Sequence, residues 1–308
     1  MILPLIAGGG SGFAGRGMGR LACQSGCRMT PRNMRFSTAA LALLFVAACT
    51  PVRVKQALPP VRAAVKVPEP AVKRPVAPAR PPEPSRVAQG TCHGISFVGV
   101  AFDSRVSRLV VADQVRGPGT VFADAAAAGR ARGGFAAVNA GFFTPSGQPL
   151  GLVVSHGKRA GAWNSTTSLG SGVWYDDGSG HSAIARREAL GKAAASGMRE
   201  LVQAGPMLVE NGHPVAGLDA TKPAVRTFLA WDGGTRWWIG RASSCTLAEL
   251  GSMLSECEPA GWPVKSALNL DGGRSSDLWI SAAIPGGPVT RRPPWNRPVR
   301  NFLILKGR

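Results

Sequence analysis

The stretch Leu268-Asn269-Leu270-Asp271-Gly272-Gly273-Arg274-Ser275-Ser276 concentrates groups that do chemistry. An apolar strand delivers Asp271 to its end. Two glycines then let the backbone come close to a ligand. The serines add hydroxyls and N–H donors of the kind that hold a sugar or a phosphate. The same string at Asp232-Gly233-Gly234 reads as a plain turn, so the string alone decides nothing. A second segment, Val138-Asn139-Ala140-Gly141-Phe142-Phe143, puts an amide donor and acceptor beside two aromatics. Aromatics suit a sugar face, but a buried turn with phenylalanine in the core uses the same residues. A third segment runs from Gln203 through Gly205-Pro206 to Asn211-Gly212. In a fourth, Val225-Arg226-Thr227, Arg226 opens a strand, and arginine is the natural fork for a phosphate diester.

In this order, these segments resemble the phosphodiester glycosidase family. The matching elements are Asn139-Ala140-Gly141-Phe142-Phe143, Gly205-Pro206 with Asn211-Gly212, Arg226-Thr227, Asn269-Leu270-Asp271-Gly272-Gly273 with Ser275-Ser276, and the tail Arg300-Asn301-Phe302. They span nearly all of residues 95–306. Two positions depart from the family pattern: Ala140 and Arg274 stand where glycine is frequent, and Arg274 adds a cation.

The resemblance implies hydrolysis of a sugar-1-phosphodiester, of the N-acetylglucosamine-1-phosphodiester kind, at the glycosidic bond. A phosphate monoester leaves well, so a strong general acid matters less than in ordinary glycosidases. What the site needs is a carboxylate, to activate water or steady charge on the sugar, and cations for the departing phosphate. On this reading Asp271 is the catalytic carboxylate. Arg226 clamps the phosphate, with Arg274 second. Asn139, Gly141, Phe142, Asn269, Gly272, Gly273, Ser275 and Ser276 line the sugar. Asp277 and Glu210 are spare carboxylates, each of a kind more often found as a surface charge or a strand-end partner than in a site. His156 and His213 fall at predicted turns. A divalent cation such as Ca²⁺ at the Asp271 end has no diagnostic ligand spacing. No CxxC or His-spaced set points to zinc.

The elements that must position these groups follow from pattern. Residues 95–103 and 107–113 read as paired strands. Val121–Arg132 reads as a helix with Thr120 at its cap. Strands are expected over 135–140, 150–155, 172–176, 203–210, 213–215, 225–231, 236–241, 267–270 and 299–305. Turns fall at His156-Gly157 and Asn211-Gly212. Thr246 and Glu249 form a capping box for a helix over 246–257. The expected fold is α/β or α+β, a single domain over 91–308 with a mixed β-sheet core flanked by helices.

The net charge of +19 invites a nucleic-acid reading, so its location matters. Residues 1–90 carry 13 Lys/Arg and 2 Asp/Glu, a net +11, and residues 91–308 carry 23 and 15, a net +8. More than half of the excess therefore precedes the expected domain. Residues 1–33 are Gly-rich without hydrophobic period and read as a doubtful extension, with Met29 or Met34 as alternative starts. Residues 34–48 combine a basic start with an apolar run from Ala39 to Ala48, the pattern of a secretory signal. Phe45-Val46-Ala47-Ala48-Cys49 resembles the lipobox of bacterial lipoproteins, which implies lipidation at Cys49 and membrane anchoring. Residues 49–90 form a basic, proline-rich tether, semi-rigid and extended. The expected location is the cell envelope, at the periplasmic side of an outer membrane.

Beyond the signal and its lipid site, Cys92, Cys245 and Cys257 remain for an oxidising compartment. Cys245 and Cys257 flank the helical pattern and are the expected disulfide, leaving Cys92 over. Exported address and the absence of a basic motif with interleaved aromatics argue against a nucleic-acid partner. Two functions stay open. One is an anchored glycosidase acting on an envelope or environmental glycan; the other is a non-catalytic lipoprotein that binds anionic polysaccharide through the same pocket.

Overall fold

A computed structural model describes residues 80–308. The expected extension, signal segment, lipid-bearing Cys49 and most of the tether lie outside the described residues. The strands are β1 (Arg86–Cys92), β2 (Ile95–Asp103), β3 (Ser107–Asp113), β4 (Ala136–Asn139), β5 (Val153–Ser155), β6 (Lys158–Ala160), β7 (Gly172–Asp176), β8 (Ser182–Arg186) and β9 (Glu200–Ala204). They continue with β10 (Met207–Glu210), β11 (His213–Pro214), β12 (Ala224–Trp231), β13 (Arg236–Cys245), β14 (Ser266–Asn269), β15 (Leu278–Ile280), β16 (Val289–Arg291) and β17 (Asn301–Gly307). Three helices, α1 (Ala125–Ala131), α2 (Arg187–Ala195) and α3 (Leu247–Glu256), complete the set.

The strands form three sheets. One has seven strands in the order β1-β2-β13-β12-β14-β10-β11. Two have five, ordered β16-β15-β4-β17-β3 and β6-β5-β9-β7-β8. The inner faces of all three meet in one core that includes Val100, Val111, Val138, Trp174, Val202, Leu229 and Leu303. Each outer face has its own satellite core. Leu250, Met253 and Leu254 of α3 cover the seven-stranded sheet, Ala125 and Ala128 of α1 cover the sheet containing β4 and β17, and Ala195 of α2 lies with Leu201 and Val173. A strand buried on both faces loses its alternation and becomes a continuous apolar run. That is the pattern of β2 and β17.

The expected architecture of strands around a core with flanking helices holds in this coarse form. The sheets are not mixed, however: every neighbouring pair is antiparallel. The expected pairing of β2 with β3 also fails. β2 pairs with β1 and β13, and β3 pairs with β17. The buried Asp103 explains the corner between them. Its carboxylate takes the N–H and guanidinium of Arg105 and the hydroxyl of Thr235, so the chain leaves the sheet instead of folding back as a hairpin. The expected strand over 203–210 is two strands in different sheets, β9 and β10, separated at Gly205-Pro206. The cap of α1 is Asp124, not Thr120. β1 begins at Arg86, so residues 86–90, expected in the tether, belong to the domain.

The disulfide joins Cys92 to Cys257, and Cys245 is a free, buried thiol. The flanking-helix argument for Cys245 with Cys257 fails on length. The two flank α3, whose ten residues at 1.5 Å rise span about 15 Å. A disulfide needs Cα atoms within about 7 Å, and those of Cys92 and Cys257 are 6.5 Å apart. The capping box at Thr246 and Glu249 is present as expected.

Candidate active site

Asp271 follows β14 and is buried. Its N–H donates to the carbonyl of Ala140 at 2.9 Å, and its carbonyl accepts from Asn139 Nδ2 at 2.6 Å. The end of β4 and the end of β14 are thus sewn together across two sheets. Asn139 is the hub of the seam. Its Oδ1 accepts from Thr227 Oγ1 at 2.8 Å and from the Asp277 N–H at 3.0 Å, and its own N–H donates to the Asp277 carbonyl. Ser276 Oγ lies 3.2 Å from the Thr227 hydroxyl. Asn301 adds the third strand: its carbonyl accepts from Ala140, and its Oδ1 accepts from Gly141 at 2.7 Å.

The glycines after Asp271 differ in purpose. A side chain at Gly272 would come within 2.9 Å of the Val225 carbonyl oxygen, so glycine here permits close packing on β12. The same position faces the stem of Arg226. Gly273 takes a positive φ of 59° and opens a short 3₁₀ turn over Gly273–Ser275.

The Asp271 carboxyl is asymmetric. Oδ1 accepts from the Gly272 N–H at 2.9 Å, while Oδ2 is buried with no hydrogen-bond partner among the described residues. The Arg297 guanidinium stands 3.7 Å from Oδ2. Burial pushes the Asp271 pKa up, against the opposing pull of Ser275, Arg297 and the Gly272 N–H. Asp232, the other Asp-Gly-Gly aspartate, has both oxygens occupied: Oδ1 takes the N–H groups of Gly234 and Arg236, and Oδ2 takes the Arg236 Nε. The turn reading holds for Asp232, and Asp271 departs from it.

The cations divide into anchored and exposed. Arg226 is partly buried and donates Nε to the Cys245 carbonyl and Nη2 to the Lys222 carbonyl. It has no acidic partner within 4 Å among the described residues, and burial pushes its pKa down. Arg274 is exposed and donates to the Trp295 carbonyl. Arg297 carries no motif in the sequence, yet it reaches furthest into the site. Its Nε donates to Ser275 Oγ at 3.0 Å, and its guanidinium lies 4.8 Å from the Phe143 ring. Phe143 therefore supports the cation beside Asp271, whereas Phe142 packs on the central core.

Several of the expected sugar-lining residues make their hydrogen bonds within the protein. Asn139, Ser275 and Ser276 are fully buried, and their recorded polar contacts are within the protein. Asn269 is also buried; its Nδ2 donates to the Gly205 carbonyl while Oδ1 has no partner among the described residues. Gly141, Gly272 and Gly273 shape the loops around Asp271. Arg300 of the tail motif is buried in a two-pronged pair with Asp113.

The spare groups have structural partners. Asp277 accepts from the Ala125 N–H at the start of α1 and lies 3.8 Å from Arg292. Glu210 pairs with Arg186. His213, expected at a turn, opens β11 and is exposed. His156 is half-exposed in its turn, 3.5 Å from the buried Glu200, whose pKa burial raises to about 7. The Ca²⁺ considered from the sequence favours several oxygen ligands. Here it would meet one carboxylate with a free oxygen beside an arginine. Among the described residues the one group of three metal-ligating side chains is Cys92, His93 and Cys257, whose two sulfurs form the disulfide.

A family model described as phosphodiester glycosidase matches residues 132–306, more than half of the chain. No curated protein matches the chain. Among solved structures, the chain is similar to the catalytic domain of zebrafish N-acetylglucosamine-1-phosphodiester alpha-N-acetylglucosaminidase, auto-inhibited by its pro-peptide. The identity is 16% and the TM-score 0.51, over 73% of this chain and 82% of that one. It is also similar to a hypothetical protein from Synechocystis, at 17% identity and a TM-score of 0.49, over 73% of this chain and 61% of that one. At 16% identity the likeness to the zebrafish domain is one of fold.

Proposed function

The chain belongs to the phosphodiester glycosidase family, and from that premise we propose that it hydrolyses a sugar-1-phosphodiester at the glycosidic bond. The observation that carries the proposal is the half-satisfied, buried carboxyl of Asp271, with Arg297 at 3.7 Å and Arg226 beside Gly272. A buried acid with one unused oxygen costs stability, and a site that uses that oxygen explains the expense.

In the reaction, water attacks the anomeric carbon and its proton passes to the Asp271 carboxylate. The bond between the anomeric carbon and the phosphate oxygen breaks, and the electron pair leaves with the phosphate monoester. That group goes from one negative charge to two, so the cations around the loop stabilise it more as the bond breaks. Arg297 has a double role: its charge favours the ionised form of Asp271 against the effect of burial, and it faces the leaving group. Asn139 and Asn301 hold the two loops in register and thereby fix where the carboxyl points.

The sugar is of the N-acetylglucosamine class on the family resemblance, and the glycan belongs to the envelope or the surroundings. Export and lipid anchoring at Cys49 are part of the same proposal. They are supported by the signal-like segment before Cys49 and by the Cys92–Cys257 disulfide, which suits an oxidising compartment. The test is to incubate the full chain with UDP-N-acetylglucosamine or an aryl sugar phosphodiester and to measure free sugar. Release is expected from wild type and from Asp232→Asn, and not from Asp271→Asn. Binding of anionic polysaccharide with no sugar released from any diester would favour the non-catalytic role instead.

A further inference from the structure

Away from Asp271, at the β1 edge of the seven-stranded sheet, lies an open groove of about 490 Å³ whose lining mixes polar groups with Phe97 and Val98. Its floor follows from the register. Gln89, Val98 and Arg241 stand directly opposite one another on β1, β2 and β13. Two residues along each strand, and so on the same face, come Thr91, Ser96 and Ser243. The Thr91 and Ser96 hydroxyls are 3.1 Å apart, and Ser243 Oγ accepts from the Ser96 N–H at 3.1 Å. Arg291 of β16 lines the groove as well.

The two arginines lack the partners that such groups normally have. Arg241 Nε is buried with no hydrogen-bond acceptor among the described residues. Neither Arg241 nor Arg291 has a carboxylate within 4 Å among those residues. Burial and the charge of Arg291 both lower the Arg241 pKa, and Asp277 is the acid whose charge opposes them. The Asp277 carboxylate is already committed to the Ala125 N–H and Arg292. Two neighbouring guanidinium groups that repel each other, one with an unused buried donor, are satisfied together by a single bridging oxyanion. The hydroxyl and amide row beside them suits the hydroxyls of a sugar.

We propose that this groove is a second binding site, separate from the Asp271 loop, for a phosphate group carried on a saccharide. Arg241 and Arg291 take the phosphate, and Gln89, Thr91 and Ser243 take sugar hydroxyls. The inference does not rest on the proposed hydrolysis. Arg241 stands opposite Thr227, which holds Asn139, so the groove adjoins the scaffold of the Asp271 loop. A long phosphorylated glycan could therefore be held there while another part of it is cut.

Calorimetric titration of the full chain with glucose 6-phosphate, inorganic phosphate and glucose tests this. The ester of glucose 6-phosphate is not at the anomeric carbon, which separates the groove from the hydrolytic site. Saturable binding of glucose 6-phosphate is expected, stronger than that of inorganic phosphate, with none for glucose. Arg241→Gln and the exposed Arg291→Gln should each weaken it by about tenfold, as loss of a charge-assisted bond does. Arg226→Gln should leave it unchanged. Absent binding, or full affinity in Arg291→Gln, would overturn the proposal. Equal affinity for inorganic phosphate would overturn the saccharide part. Loss in Arg226→Gln alone would assign the anion to the Asp271 site and leave the proposed hydrolysis standing.

Discussion

Asp271 and Asp232 begin the same three-residue string and differ in what their oxygens meet. Asp232 spends both on its own hairpin loop, while Asp271 Oδ2 is buried beside Arg297 with no hydrogen-bond partner among the described residues. As the proposed base, Asp271 must be ionised. Its folded pKa is raised, so activity should fall as pH drops through a value above the ordinary aspartate range. Arg297 holds that pKa down, so Arg297→Gln should move the acidic limb of the kcat/KM profile to higher pH. An unmoved limb would remove Arg297 from contact with the base. Asn139 makes a contrasting case. Its amide serves Thr227, Asp277 and Asp271, so Asn139→Ala should cost about 2–4 kcal/mol in urea unfolding, the loss of several buried hydrogen bonds. A raised KM with unchanged stability would restore it to the sugar. At this scale the sequence singled out residues that gather around Asp271, and the inward hydrogen bonds they make were not legible in it. Asn139 ends β4 and Ser276 follows the Asp271 loop, and only their buried hydrogen bonds show both facing inward. Arg297 belongs to no motif and comes to Asp271 through tertiary packing alone.

At the scale of elements, the site is a junction of strand ends. β4 and β14 lie in different sheets, and the hydrogen bonds from the Asp271 N–H to the Ala140 carbonyl and from the Asn139 amide to the Asp271 carbonyl close the gap. The two glycines predict different costs. Gly272→Ala places a methyl 2.9 Å from the Val225 carbonyl oxygen, so the loop must shift and turnover should fall more than about tenfold, as displacement of a reacting group does. Gly273→Ala meets nothing within 4 Å and takes on the strain of a positive φ, worth about 1–2 kcal/mol in thermal or urea unfolding, with most activity kept. Equal activity in the two variants would contradict the packing role given to Gly272. Elements with a local signal were legible: the Asn211-Gly212 turn, the capping box of α3, and β7. Elements whose partners lie far along the chain were not. Nothing local in 95–113 shows that β2 and β3 part at Asp103, because the groups that turn the corner include Thr235. The disulfide was hidden for the same reason, since its partners are 165 residues apart.

Across the whole molecule, charge is informative once it is placed. Most of the +19 lies before residue 91, and the rest sits on a domain with arginines at two polar sites. The basic N-terminal stretch accords with a tether beside an anionic envelope surface, the setting proposed for this chain. Cys49→Ala should then move the protein from the membrane to the soluble fraction; continued membrane association would refute lipid anchoring at that residue. Helices on the outer sheet faces and one apolar core were readable from composition and period. The all-antiparallel arrangement was not, because a run buried on both faces looks the same in either kind of sheet.

The central claim is that water adds to the sugar and not to the phosphorus, with Asp271 as the base. Hydrolysis of a sugar phosphodiester by the full chain in H₂¹⁸O, read by mass spectrometry of both products, tests it directly. The account predicts ¹⁸O at the anomeric hydroxyl, none in the phosphate monoester, and no turnover in Asp271→Asn. Label in the phosphate, or undiminished turnover without the Asp271 carboxylate, would contradict it.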